Sequence, residues 1–245
     1  MNNLEDMANR AYKNNHYIFS DFLSLSEQAD FTKNISNFPP SPCELWGGYE
    51  NAERKILRIG NQDYFGYSEE YPMVCLKITP ISAKFATKMT HRDYLGSIMN
   101  LGIERRCIGD IIVEEQSAYV FTTTKICEYI QKSLVSIGRN TIKTELVEIN
   151  SDFLPSMDGT ISTIQVASMR CDAIIARAFN LSRKDSASLF FEKKIAVNGR
   201  LTENNDYVIN DTSTISVRGF GKIKILNIGG TTKKGKQILD IELFS

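Results

Sequence analysis

Six cations crowd one short stretch of this chain: Arg170, Arg177, Arg183, Lys184, Lys193 and Lys194, with Arg200, Arg218, Lys222 and Lys224 close behind. Residues 168–225 hold ten Lys/Arg against six Asp/Glu, a net of +4 in a chain whose formal charge is zero. Guanidinium groups fork onto paired phosphate oxygens and ammonium groups add point charge, so a compact cluster of this kind has the chemistry of a phosphate-binding surface. The competing reading is a solvated charged face. No aromatic or amide side chain is expected among Arg170, Arg183, Lys184, Lys193 and Lys194 to take a base edge, which favours phosphate contacts over base reading.

Two short helices and a small sheet would have to position these groups. Ser168 is placed to cap the first helix, where its side-chain oxygen can accept a backbone N–H of the opening turn. Ile174, Ile175, Ala178 and Phe179 recur at the spacing of one buried helical face. Asn180 stops that helix, and Ser182 caps a second, with Asp185 three residues on as an acidic capping box. Ala187, Phe190 and Phe191 supply its apolar side. The period then drops to 2. Residues 195–197 read as a strand running into a turn at Asn198-Gly199, and 214–219 and 222–225 continue the sheet. Helix N-termini add backbone donors to the same surface.

Arg170-Cys171-Asp172, Ser182-Arg183, Val197-Asn198-Gly199 and the Val217-Arg218-Gly219 that follows Asp211 form an ordered signature. It resembles that of the RNA-binding module named after the fourth small-subunit ribosomal protein, the S-four domain. The resemblance implies that the two helices and the following strand dock on structured RNA. Together with the charge pattern, it implies RNA contacts at Arg170, Arg177, Ser182, Arg183, Lys184, Lys193, Lys194, Asn198 and Arg200. Such modules usually carry glycine at the turn into the strand, where this chain has Lys193.

A second recognisable run is Leu45-Trp46-Gly47-Gly48-Tyr49-Glu50-Asn51-Ala52-Glu53-Arg54-Lys55. Adjacent glycines between aromatic residues suit a tight turn, or a close approach of backbone to a ligand. The Gly-Gly-Tyr-x-x-Ala-Glu-Arg-Lys segment resembles that of the YlmH family of bacterial proteins, which have a C-terminal S-four domain. That resemblance covers nearly the whole chain. It implies association with the large ribosomal subunit, in particular obstructed subunits still holding peptidyl-tRNA, in translation-associated quality control, and a link to cell division. The expected partner is therefore RNA, ribosomal or transfer, bound by a monomer with no cofactor and no metal.

Composition sets the frame. A chain of 245 residues suggests two or three domains, and 42% apolar content with 10% aromatics is ample for packed cores. Residues 161–245 carry 13 Lys/Arg and 8 Asp/Glu, or +5, and residues 1–160 the remaining 16 and 21, or −5. An acidic front with a basic tail points to one dedicated nucleic-acid surface. No stretch approaches the roughly 18 apolar residues of a membrane span, and MNNLEDMANR has no apolar core of a secretion signal, so a cytoplasmic protein is expected. Five cysteines, never spaced as CxxC, read as reduced thiols, and only His16 and His91 are available for histidine chemistry.

The fold class expected is α+β in three domains. Residues 1–71 form a mixed, mainly helical region, with Phe19 in a first helix and residues 26–35 in a second. Residues 72–149 read as βαββαβ, the ferredoxin-like arrangement shared by many RNA-recognition domains. Its strands are 74–78, 108–113, 117–123 and 143–148, and its helices are 90–101 and one whose face runs from Ile126 through Ile137. Tyr119 and Phe121 on the third strand are candidates for base stacking, although packing explains them better because the first strand offers no aromatic partner. Arg105 and Arg106 are candidate auxiliary phosphate contacts. Residues 150–162 read as a linker, 163–245 as the S-four domain, and Lys233, Lys234 and Lys236 as a basic hairpin tip.

Two other function classes compete. S-four domains also occur in RNA-modifying enzymes, yet the sequence has no nucleotide or methyl-donor loop and no nucleophile paired with a base, so no catalytic residue is assigned. An adaptor whose acidic front binds a protein is the third reading.

Overall fold

Local periods and caps resolve into an α+β architecture, seen in a computed structural model that describes residues 2–49, 52–148, 159–210 and 213–244. The chain divides into two compact units, Met1–Pro155 and Ser156–Ser245.

The first unit opens with α1 (Asn2–Asn14), β1 (Ile18–Leu23), α2 (Leu25–Asn34), β2 (Cys43–Trp46), β3 (Lys55–Ile59) and the short α3 (Gln62–Phe65). Its sheet runs β1-β3-β2, all antiparallel. Phe19, expected on a helix, lies in β1, where it pairs with Arg58 of β3. Strand pairing across the chain overrides a weak local helical pattern there. The second helix starts one residue early because Ser24 and Glu27 form a reciprocal capping box, with Ser24 N–H donating to the Glu27 carboxylate at 2.7 Å. Ala8, Ala11, Leu23, Phe31, Leu57 and Ile59 make the core beneath the two helices.

The same unit continues with β4 (Met73–Pro80), α4 (His91–Met99), β5 (Ile108–Val113), β6 (Ala118–Thr123), α5 (Thr124–Ser133), β7 (Ser136–Ile137) and β8 (Asn140–Val147). Strand order is β5-β6-β4-β8-β7, so the first long strand is central between the third and the last. That is the strand order of a split βαβ. Thr90 and Asp93 cap α4 reciprocally. Leu76, Ile78, Ala118 and Val120 turn to one face, against Tyr94, Ile98 and Ile130 of the helices. Ile137 is not helical as expected. Gly138 takes φ 57°, turning Ser136-Ile137 back onto Asn140-Thr141 as a small hairpin, so β8 begins at Asn140.

The second unit comprises β9 (Thr160–Val166), α6 (Cys171–Ala178), α7 (Arg183–Phe191), β10 (Ile195–Val197), β11 (Arg200–Leu201), β12 (Thr214–Val217), β13 (Gly221–Thr231) and β14 (Gln237–Phe244). Its sheet runs β11-β10-β12-β13-β14-β9. Residues 150–158 of the expected linker lie outside the described residues, and 160–162 are not linker: they pair with 241–243 of β14, and the strand goes on to bury Ile164 and Val166. Ile174, Ile175, Leu189 and Phe190 pack onto Ile195, Ile215, Ile223 and Ile241. Phe191, expected on the buried side of α7, is 76% exposed. Phe190 and Leu189 already fill that face.

Lys193 sits at φ 55°, in the left-handed region that a side chain resists. This is why glycine suits the turn. Its Nζ reaches Glu203 at 3.2 Å, an exposed pair worth little. Lys193→Gly is expected to stabilise the unit by about 0.5 kcal/mol, the left-handed penalty less the entropy glycine adds to the unfolded chain. Chemical denaturation checks this, and a loss of stability would show that the ion pair outweighs the strain.

Candidate nucleic-acid interface

At the start of α6 a buried carboxylate holds two arginines. The Asp172 side chain is 3% exposed. Its Oδ1 accepts from Arg170 Nε at 3.1 Å, and its Oδ2 accepts from Arg170 Nη2 at 3.0 Å and from Arg183 Nη2 at 2.9 Å. Arg170 also pairs with Asp206. The buried Ser186 hydroxyl donates to the Asp172 carbonyl at 2.7 Å, locking α7 onto α6. The Arg-x-Asp and Ser-Arg elements are thus one clamp, and Arg183 leaves it 51% exposed. Ser168 is not the cap. Arg170 occupies that position, and the first helical N–H, of Cys171, donates to Tyr207 O at 2.8 Å, so backbone replaces the expected hydroxyl.

Several expected RNA-binding residues are committed to the fold. The Ser182 hydroxyl caps α7, accepting from Asp185 N at 3.1 Å and donating to its carboxylate at 2.7 Å. Asn198 stands at φ 48°, and its Oδ1 accepts from Thr214 N at 2.9 Å, tying the turn to β12. Both side chains are exposed, and these bonds give each a role in the fold beside the RNA contact expected of it. Lys194 pairs with Glu192 at 2.6 Å, so with the Lys193–Glu203 pair the α7–β10 turn carries little net charge. Exposed Phe191 stands beside these lysines, an aromatic ring where none was expected.

Uncompensated charge lies elsewhere. Arg177 and Lys184 are exposed and form no ion pair among the described residues, whereas Arg200, also exposed on β11, has a partner. Lys233, Lys234 and Lys236 are also exposed and outside any ion pair, at the tip joining β13 to β14. Gln237 pairs with Val166, so that tip borders the segment entering α6, the end of the sheet that carries the Asp172 clamp. The tip was visible in the sequence as a lysine run. Its nearness to α6 depends on the β14–β9 register, which no local pattern announces.

In the first unit the proposed auxiliary residues hold packed or hydrogen-bonded positions, apart from exposed Arg106. Tyr119 and Phe121 are buried, Phe121 completely. The Tyr49 ring packs on Phe121 with centroids 5.3 Å apart, and Lys77 lies 5.0 Å from the Tyr119 ring. A Cβ on Gly109 would come within 2.7 Å of the Phe22 ring, so glycine is what admits that ring beside Phe121. The N-terminal elements therefore cover the sheet where a base would stack, and both rings serve packing. Arg105 Nη1 donates to Ile108 O and Gly109 O, and burial, with Arg54 nearby, lowers its pKa to about 10. Arg106 is exposed but pairs with Glu104 at 2.7 Å and Asp21 at 3.6 Å.

The glycine-rich segment has a structural role that the sequence left open. Asp110 on β5 accepts from Tyr49 Oη at 2.7 Å, Glu53 N at 2.7 Å and Arg54 N at 3.1 Å. Arg54 itself donates to Ile108 O at 2.9 Å and Phe22 O at 2.7 Å. Gly48 takes φ 98°, and a Cβ on Gly47 would lie 2.4 Å from Arg54 O, so the turn that presents these groups admits no side chain there.

Residues 1–64 match the family described as "YlmH, N-terminal", and residues 67–151 match the one described as "Putative RNA-binding domain in YlmH". The chain belongs to the YlmH family. A relative of this YlmH-family chain, "Ribosome-associated protein quality control protein P2" of Bacillus subtilis (strain 168), is 27% identical over 217 residues, spanning 89% of this chain and 83% of the relative. A solved structure, "Cell division protein ylmH from Streptococcus pneumoniae", aligns over 61% of this chain and 89% of its own, with 21% identity and a TM-score of 0.49. No helix among the described residues is long and apolar enough to cross a membrane.

Proposed function

We propose that this YlmH-family chain is a non-catalytic RNA-binding protein of the cytoplasm. It docks structured RNA on the large ribosomal subunit, with peptidyl-tRNA, in translation-associated quality control. The Bacillus relative is named for ribosome-associated protein quality control, and residues 67–151 match a family described as a putative RNA-binding domain, which together support the ribosome-associated, RNA-binding part of the reading. The observation that carries it is that exposed Arg177, Lys184, Lys233, Lys234 and Lys236 stand outside any ion pair among the described residues on a C-terminal unit of net positive charge. Residues 163–245 act here as the S-four domain, with the Asp172 clamp holding half-exposed Arg183 in a fixed position for phosphate.

Phosphate neutralisation releases condensed counterions, so log K falls linearly with log salt by about 0.7–0.9 per contact. Arg177→Ala/Lys184→Ala in the full chain is expected to flatten that slope by about 1.5 and to weaken several structured RNAs alike. A salt titration with two unrelated RNA hairpins measures this. An unchanged slope, or a loss confined to one sequence, would refute phosphate docking. Catalysis is tested separately, by nucleoside analysis of ribosomal and transfer RNA after incubation: any cleaved or modified nucleoside made by the protein overturns the non-catalytic reading.

A further inference from the structure

Residues 81–92, between β4 and α4, present an aromatic ring and cations on a pinned loop. Phe85 is 80% exposed and Ile81 is also exposed. The stretch holds Lys84, Lys88 and Arg92 and no carboxylate, within a half of the chain that is net acidic. None of those three cations is in an ion pair among the described residues, and Lys84 Nζ lies 5.9 Å from the Phe85 ring centroid.

The exposure is not that of a frayed segment. Ile81 N donates to Thr141 O at 2.9 Å, and residues 83–85 form a tight 3-10 turn. Beyond the tip, the side chain of buried Asn140 accepts from Thr87 N at 2.9 Å and donates to Thr87 O at 3.0 Å, and Met89 is buried in the core. Both ends are fixed and the ring is held out between them. Next to it opens a cavity of about 300 Å³, lined by Pro80, Thr87, Lys88, Met89, Glu115 and Gln116. An apolar floor at Pro80 and Met89, an amide and a carboxylate at its rim and a lysine at its mouth suit a nucleoside: the amide and carboxylate can meet base-edge donors and acceptors while cations hold the phosphate.

We propose that the 81–92 loop is a second RNA contact, specific for an unpaired nucleotide, in which Phe85 stacks on a base and Lys84, Lys88 and Arg92 bind the flanking phosphates. It rests on the RNA-binding reading above and gives the middle of the chain a nucleic-acid surface other than its covered sheet. An isolated exposed phenylalanine would mean little by itself. Here Lys84 lies beside the ring, Lys88 lines the adjoining cavity, and Arg92 follows on the same loop, and stacking on an aromatic side chain is the sequence-tolerant way to hold a single strand.

The test measures binding of the full chain to a short unstructured oligoribonucleotide and, in parallel, to a fully paired RNA duplex. Phe85→Ala is expected to weaken the unstructured strand roughly tenfold and the duplex little, with an unchanged melting temperature because the ring is 80% exposed. Phe85→Trp should restore affinity. Lys84→Gln/Lys88→Gln should reduce the single-strand salt slope by about 1.4. If the wild type binds duplex or hairpin RNA but not the single strand, or if Phe85→Ala binds the single strand like wild type, this proposal falls while the function proposed above stands. The loop would then be left as a protein-docking tip. If the wild type binds no RNA of either kind, both fall.

Discussion

Asp110→Ala is expected to destabilise the first unit by about 3 kcal/mol and to loosen the N-terminal sheet from the domain that follows. One carboxylate serves three donors: Tyr49 Oη, Glu53 N and Arg54 N. Truncation strands two backbone N–H groups and a hydroxyl where alanine can supply no acceptor, and each stranded buried donor carries a penalty of about 1 kcal/mol or more. Differential scanning calorimetry with limited proteolysis reads both consequences: a lower melting temperature and faster cleavage before residue 72. Burial raises the Asp110 carboxyl above its ordinary value, against the bonds from Tyr49, Glu53 and Arg54 that pull it down. A carboxyl raised in the folded state contributes stability that is complete below the unfolded value and is lost as pH rises through the folded one. The wild type should therefore gain on Asp110→Ala as pH falls from neutral into the carboxylate range. A gap that narrows over that window would contradict the assignment.

Asp172→Ala should lower the stability of the second unit by a similar amount, about 3 kcal/mol, because it breaks a buried ion pair shared by two arginines. Arg170 and Arg183 are partly exposed and can return to water, which keeps the cost at the lower end for a buried pair. Arg183→Ala should cost less, since Arg170 still satisfies both carboxylate oxygens. The two substitutions part in binding. Asp172→Ala frees positive charge yet loses its fixed geometry, so any structured-RNA affinity should fall while the salt slope stays. Arg183→Ala should reduce the slope by about one contact. Equal melting temperatures for Asp172→Ala and wild type would remove the clamp from the account.

Local chemistry carried the sequence a long way. Thr90 with Asp93 and Ser182 with Asp185 announce their helices through groups three residues apart, and the alternating runs at 74–78, 108–113 and 195–197 fall on strands. Failures came where a distant partner decides. Ser168 looked like a cap because the backbone of Tyr207, which satisfies Cys171 N–H, is remote in the chain. Tyr119 and Phe121 alternate as an exposed aromatic face would, but Phe121 is covered by Tyr49, from another sheet's loop. The cations of the helix pair were legible and their charge state was not: Asp206, Glu203 and Glu192 pair with Arg170, Lys193 and Lys194, while Lys233, Lys234 and Lys236, outside any ion pair among the described residues, sit on a hairpin whose place depends on the β14–β9 register.

The Tyr49 ring over Phe121 bears on how this protein can be cut apart. A fragment beginning near residue 72 would lose Tyr49, Phe22 and Arg54 together, baring the face that Phe121 and the backbone around Gly109 now share with them. Such a piece would present a new greasy patch to water and tend to self-associate. It would also make an aromatic sheet face available that the intact chain keeps shut, so nucleic-acid retention by the excised domain would reflect the cut and not the parent molecule.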